Sequence, residues 1–330
     1  MAGEGGVPRR MKARRGEASE AIVTALLKQM AADDRPIIVG PWRRGAGGEL
    51  LYWLPFLRWA VREFGLDRAR IVAVSRGGAA SWYQDLAGRY LDIYAVLSPP
   101  ELEALDQGEK VTEDTDLGAP SAGDDTVLTR LGVSTDAHRL HPGLMHALFR
   151  PYQKGAAPFR LFSRSTVFTR MAPPDHPILA ELPSEFIAVK FDSWRNPAGD
   201  SDLADFVERF TLDMAEAGPV VFIQSHLQRS AEQGFPAPRH PNVVSTASWS
   251  TPADSLAVQS AIFSRASHAF TAFGALSYLP LYYGVPVAAF YAEYSASLRH
   301  NAQAMFHMAE QLDAPLGVVP ANFLSVVPRR

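Results

Sequence analysis

Lys190 and Arg195 stand five residues apart with Ser193 between them, at the end of an apolar run from Phe186 to Phe191. Two cations and a hydroxyl at that spacing can neutralise a diphosphate, the arginine by a bidentate contact and the lysine as a point charge. A second anion site is written at His268 to Pro286, HAFTAFGALSYLPLYYGVP. There an apolar run, Ala269 to Phe273, meets Gly274, then small and polar residues, then a helical apolar stretch ending at Gly284-Val285-Pro286. A strand that feeds a helix through glycine leaves the helix N-terminus with unpaired N–H groups and a partial positive charge. A phosphate suits such an end. Phe273, Gly274, Ser277 and Tyr278 are the residues of that turn placed to meet it.

The first half offers Gly40-Pro41-Trp42-Arg43-Arg44-Gly45-Ala46-Gly47-Gly48-Glu49, a glycine-rich loop with one carboxylate at its mouth. Glu49 can take a proton from a hydroxyl as a general base, or serve only as a favourable acid in the first turn of its helix. Arg43, Arg44 and Arg76, with the backbone at Gly45 and Gly47, can hold an anion. Gln224-Ser225-His226 closes another apolar run, and Gln224 or Ser225 can meet a base or ribose there. No full G-x-G-x-x-G followed by its acidic partner is present, nor a Walker A lysine loop, so dinucleotide and ATP chemistry of those kinds is not indicated. Asp114 and Asp116 form a D-x-D spacing, but in a polar stretch rather than at a strand end, and no metal site is expected. Ala73-Val74-Ser75-Arg76-Gly77-Gly78 has the outline of a nucleophile elbow. On that alternative, a hydrolase would use Ser75 with a late base such as His300.

These residues need strand ends to hold them. Pro36–Trp42, Arg70–Ser75 and Tyr90–Leu97 read as strands, with helices over Glu49–Phe64 and Ala79–Ala87 between them. After a hinge at Met171–His176 a second alternating set begins. Its strands are Phe186–Phe191, Pro219–Gln224, Val243–Thr246, Ala269–Phe273 and Val285–Tyr291, its helices Leu203–Ala217, Ser255–Arg265 and Arg299–Leu312. Strands alternating with helices imply parallel sheets covered on both faces. The expected fold is therefore α/β, two doubly wound Rossmann-like domains facing a cleft, with ligand in the cleft at the strand C-termini. The expected division is 1–35 as a basic arm plus amphipathic helix, 36–176 as the first domain with 99–170 inserted, and 177–330 as the second.

Composition narrows the classes. A chain of 330 residues fits two domains of roughly 150 residues. A net charge of −3 argues against nucleic-acid binding through bulk charge. The absence of cysteine excludes disulfides and thiolate chemistry and suits a cytoplasmic location. No apolar run reaches the ~18–20 residues of a membrane span. The arm carrying Arg9, Arg10, Lys12, Arg14 and Arg15 can still make a weak contact with an anionic membrane surface.

The second half resembles the nucleotide-sugar domain of GT-B glycosyltransferases, in the heptosyltransferase and fucosyltransferase branches. Thr271 to Leu279 resembles their strand-glycine-helix element, which holds the donor diphosphate, and Leu281 to Tyr291 their "GVP" strand. Ala275 departs from the pattern, standing where a second glycine is common. The resemblance implies metal-independent transfer of a sugar from a nucleotide-sugar donor, with no cofactor, to a glycan, lipid-linked or small-molecule acceptor. It assigns Lys190, Ser193, Arg195, Gln224, Ser225, Phe273, Gly274, Ser277 and Tyr278 to the donor. Arg43, Arg44, Gly45, Gly47 and Arg76 go to the acceptor, and Glu49 to base catalysis. Nucleotide-sugar 2-epimerases share the scaffold, with Asp192 or Glu293 as their acids, and a binding protein without turnover is a further alternative.

Overall fold

The computed structural model describes residues 9–108, 120–134, 136–192, 201–224, 234–291 and 295–321. Two parallel sheets carry the strands. The first contains β1 (Ile37–Val39), β2 (Ile71–Ser75), β3 (Arg89–Asp92) and β4 (His138–Leu140) in the order β3-β2-β1-β4. The second contains β5 (Ile187–Lys190), β6 (Val220–Phe222), β7 (Val243–Ser245), β8 (His268–Ala272), β9 (Val287–Tyr291) and β10 (Leu316–Pro320), in the order β10-β9-β8-β5-β6-β7. The buried Val and Ile runs of β1, β2 and β6 have the continuous apolar character of strands covered on both faces. The doubly wound α/β expectation holds for both halves.

Each sheet has one point where the strand order reverses. In the first it lies between β1 and β4, whose register pairs Val39 with Leu140. In the second it lies between β5 and β8, with Lys190 opposite Thr271. The loops leaving these strands splay to opposite faces of the sheet, opening a crevice at the strand C-termini.

Some elements differ from the sequence reading. β4 lies within 99–170, so that stretch supplies a strand of the first sheet. At three residues including His138 and Arg139, β4 shows no apolar run to read. β10 is similarly masked by its Gly317 and Pro320. The third strand stops at Asp92 because its carboxylate accepts from Tyr94 N and starts a helical turn, Ile93–Ala95. The N-terminal helix runs Arg9–Ala31 and takes in the basic segment.

The two halves share a core. One buried cluster runs from Val23 on the first helix to Ala314 after the last, taking in residues of both sheets. Polar contacts stitch the seam: Trp82 Nε1 donates to Ser260 Oγ (2.8 Å), Tyr282 OH to Leu50 O (2.7 Å) and Tyr52 OH to Asn301 Oδ1 (2.6 Å). The segment read as a hinge is docked, since Met171 N donates to Tyr282 O and Arg170 Nε to Leu312 O, each at 2.9 Å.

Candidate functional site

At the reversal point of the second sheet, Lys190 ends β5 and is 1% exposed. A lysine is almost never that deeply buried unless paired. Its ammonium donates to Asp192 Oδ1 at 2.6 Å, which leaves two of its three N–H groups for another acceptor. Across the ladder, Thr271 Oγ1 is buried and has no hydrogen-bond partner among the described residues. The chain then turns at Gly274 with φ +126° and ψ −158°, a conformation essentially restricted to glycine. A Cβ built there would meet nothing within 4 Å, so this stretch of backbone faces open space.

The other residues of the turn hold it in shape. Ser277 Oγ donates to Gly274 O (2.7 Å) and accepts from Gly274 N (3.1 Å), and its side chain is buried. Tyr278 is buried in the core, with half-buried Phe273 set edge-on against it at 6.3 Å. Gln224, at the end of β6, accepts from Ser245 Oγ at 2.5 Å and is closed in beside Phe235. Ser193, Arg195 and Ser225 lie outside the described residues.

The glycine loop of the first half begins a continuous helix over 46–64, made of Ala46–Gly48, a π-type turn Glu49–Trp53 and Leu54–Phe64. Gly45 precedes it, and no side chain caps this end. The first turn, with Gly47 half-buried, packs against Ala275–Tyr278 of the second half. Gly48 lies over Trp42 of the same loop, where a Cβ would stand 3.1 Å from the indole. The sequence thus brings together the loop at Gly45–Gly48 and the turn at Gly274.

The charged residues of the loop divide. Arg44 is exposed. Arg43 is buried and donates to Asp124 Oδ1 (2.8 Å), Asp106 Oδ1 (2.8 Å) and Ser121 Oγ (2.9 Å). Asp124 also lies 3.0 Å from His141 Nε2. Although burial raises its pKa, the hydrogen bond and charge of His141, Ser121 N and Arg43 hold it well below the usual range. Ser121 and Asp124 also form the capping box that starts the helix Ala122–Arg130. Arg76 is fully buried, with Nη2 donating to Arg44 O at 2.5 Å and Nε and Nη1 unpartnered among the described residues. Arg43 is therefore committed to holding the loop, Arg76 keeps two N–H groups without a partner among the described residues, and Arg44 is the one of the three that is exposed.

Glu49 is sealed inside. Its Oε1 accepts from Ser75 Oγ and from Tyr83 OH, each at 2.6 Å, while Oε2 has no partner among the described residues. Burial raises its pKa to about 7, against the lowering effect of Arg76, Ser75 and Tyr83. Because the folded state then holds the proton more tightly than the unfolded chain, Glu49 stabilises the fold below its ordinary 4.5. That contribution is lost as pH rises toward about 7. Glu49→Gln, which imitates the protonated acid, is expected to remove this loss. Urea unfolding between pH 5 and 8 should show wild type weakening relative to the variant, and parallel curves would contradict the assignment. The same burial removes support for the hydrolase alternative, since Ser75 is inaccessible and bonded to Glu49 while His300 packs edge-on against Tyr152.

Sequence reasoning passed over Thr271, Asp124, His141 and His146. His146, on the helix Pro142–Gln153, makes no hydrogen bond among the described residues, and its Nε2 is buried. Its ring stacks on Trp42 at 6.4 Å. A histidine within an apolar helical pattern gives no signal of such a placement.

No family model matches the sequence, and no curated protein does. Among solved structures the chain is similar to the glycosyl transferase family 9 protein from Veillonella parvula, at 12% identity over 91% of this chain and 92% of that one, with a TM-score of 0.47. It is similar to ADP-heptose lps heptosyltransferase II of E. coli at 12% identity, covering 86% and 92% of the two chains, with a TM-score of 0.47. A second E. coli heptosyltransferase, solved with ADP, is 14% identical over 88% and 98%, with a TM-score of 0.42. Likeness at this level assigns neither substrate nor mechanism to the present chain.

Proposed function

We propose that the protein is a glycosyltransferase of the GT-B type, which moves a sugar from a nucleotide-sugar donor to an acceptor hydroxyl without a metal. The observation that carries this reading is a fully buried lysine at the reversal point of the second sheet, beside backbone that opens at Gly274. A buried ammonium with spare donors fits an anion brought by a ligand. The donor diphosphate would lie between Lys190 and the Gly274 turn, with Arg44 reaching it from the first half and Ser193 and Arg195 extending the clamp. Gln224 and Ser225 would bound the ribose or base. The acceptor, a glycan, lipid-linked saccharide or small molecule, would approach from the glycine loop.

In the transfer step the acceptor oxygen would bond to the anomeric carbon as the bond from that carbon to the phosphate oxygen breaks. The electron pair leaves with the diphosphate, whose growing charge Lys190 and Arg44 would stabilise from fixed positions. The acceptor proton must go to a base. Glu49, with a pKa raised to about 7, has the strength for that work, but would have to be uncovered by movement of the loop above it. A cytoplasmic location, and a weak contact of the basic first helix with an anionic membrane, belong to the same reading. Among the described residues no helix is long and apolar enough to cross a membrane.

A thermal-shift screen with ADP, UDP, GDP and CDP tests the donor site. One of them is expected to raise the melting temperature of the wild-type chain, since a ligand at 100 times its Kd stabilises by about 2.7 kcal/mol. Silence toward all four would remove the proposal. Binding without release of nucleoside diphosphate from any nucleotide sugar would favour a binding protein that lacks turnover.

A further inference from the structure

We infer that His146, which nothing in the sequence singles out, is the group that takes the acceptor proton. The inference rests on the glycosyl-transfer reading above and names a different base for it than Glu49.

Three observations place it. The first is position. The reversal point of the first sheet lies between β1 and β4, where the loop after β1 leaves one strand and the helix Pro142–Gln153 follows the other. His146 projects from the second turn of that helix onto Trp42 of that loop. The second is support. His146, Trp42, Trp53 and Phe56 form a continuous stack, with ring centroids 6.4, 6.0 and 5.8 Å apart and interplanar angles of 26°, 22° and 20°. Trp42 is fixed further by donating to Gly45 O at 3.2 Å, so the imidazole is mounted on the loop that packs against the Gly274 turn. The third is chemistry. His146 is half-buried, its Nε2 is buried, and it is hydrogen-bonded to nothing described, whereas the other acids and histidine of this region already hold partners. His141 accepts from Gly143 N and faces Asp124, Asp124 holds Arg43, and Glu49 holds Ser75 and Tyr83.

The charges that face the ring are Arg44 from the loop and His141 from its own helix, with the Asp124–Arg43 pair behind His141. Of the other elements packed on this helix, Arg9–Ala31 brings buried Val23, Leu27 and Met30, Glu49–Trp53 brings the buried carboxyl of Glu49, and Arg160–Ser163 brings Arg160 with buried Leu161 and Phe162. Ala296–Leu312 meets it at the far end, through His300 and Gln303 against Tyr152. Burial first, then Arg44 and His141, lower the imidazole pKa to about 4, so the ring is neutral and ready to accept at physiological pH. Arrival of an anionic diphosphate beside Arg44 offsets that cation and raises the basicity of the ring when the donor is bound. In the step itself the acceptor hydroxyl gives its proton to the unprotonated imidazole nitrogen as its oxygen bonds to the anomeric carbon. The diphosphate leaves with the electron pair, and the imidazolium then loses its proton to solvent.

The test is release of nucleoside diphosphate from UDP-, ADP- and GDP-sugars with water as acceptor, between pH 4 and 8. Wild type, His146→Gln, His146→Phe and Glu49→Gln are compared. His146→Phe keeps the stack on Trp42 and removes both nitrogens, and melting curves confirm that each variant folds. The expected result is a kcat lower by roughly 100- to 1,000-fold in both His146 variants, with the nucleoside-diphosphate thermal shift and the donor KM unchanged. The acid limb of the wild-type kcat/KM profile, which reports the free enzyme, should fall at about 4, the value for His146. That of kcat should lie higher because bound diphosphate offsets Arg44, and both should persist in Glu49→Gln. Undiminished turnover in the His146 variants overturns the assignment while leaving glycosyl transfer standing. So does an acid limb at about 7 that vanishes in Glu49→Gln. A wild-type chain that neither binds nucleoside diphosphates nor releases them overturns both readings together.

Discussion

Lys190→Ala is expected to abolish the stabilisation of the protein by nucleoside diphosphate. A hydrogen bond to a charged group contributes about 1.5–3 kcal/mol, so losing one such contact weakens binding by roughly 10- to 150-fold. The lysine is fully buried at the point where the strand order of the second sheet reverses. The substitution also strips Asp192 Oδ1 of its 2.6 Å partner. Lys190→Met serves as the control for packing, because it keeps most of the apolar stem without the charge. Both variants should lose the thermal shift with nucleotide, with alanine alone adding a marked loss of intrinsic stability. If Lys190→Met still responds to nucleotide as wild type does, the buried ammonium is a structural partner of Asp192 and the donor site lies elsewhere.

The second large effect is expected at Gly78, where Gly78→Val should destabilise the whole chain. Gly77 and Gly78 have φ of +70° and +79°, and this turn docks onto the helix Ser255–Arg265 of the second half. Gly77 O accepts from Leu256 N at 2.8 Å, which satisfies one of the orphan N–H groups at that helix start. A Cβ on Gly78 would stand 2.9 Å from the Ala257 Cβ and 3.2 Å from the Asp254 Cα, so the halves must separate to admit it. Backbone strain costs about 1–2 kcal/mol and overpacking about 1–3 kcal/mol more. Gly132→Val isolates the two contributions, since Gly132 has φ +66° and nothing within 4 Å of a Cβ. In urea unfolding Gly78→Val should fall well below Gly132→Val. Equal losses would mean that strain alone acts at Gly78 and that the seam tolerates the added bulk.

Those two glycines illustrate how the sequence can mislead. Set after Ser75 they have the outline of a nucleophile elbow, yet their freedom is used for close approach of one half to the other. Glu49 gives the same lesson for charge. A carboxylate beside glycines looks exposed on paper, but the helix over 46–64 turns it inward onto Ser75 and Tyr83. Asp92 shows the converse, because a residue read as part of a strand ends it by accepting from Tyr94 N, and Gly78 N donates to it as well.

The sequence by itself determined the parallel α/β class, because buried strands and amphipathic helices have different apolar periods that any fold must respect. It also set Lys190 and Gly274 at the C-terminal ends of strands, and parallel strands deliver those ends to one edge. Only the tertiary structure decided the rest. Strand order puts Lys190 opposite Thr271, a pairing between residues 81 positions apart that no local pattern encodes. The shared core buries Arg43, Glu49 and Arg76 while leaving Arg44 open and setting His146 on Trp42. Whether a polar side chain meets solvent, a partner or nothing depends on elements distant in the chain, and that is where the chemistry of this site is set.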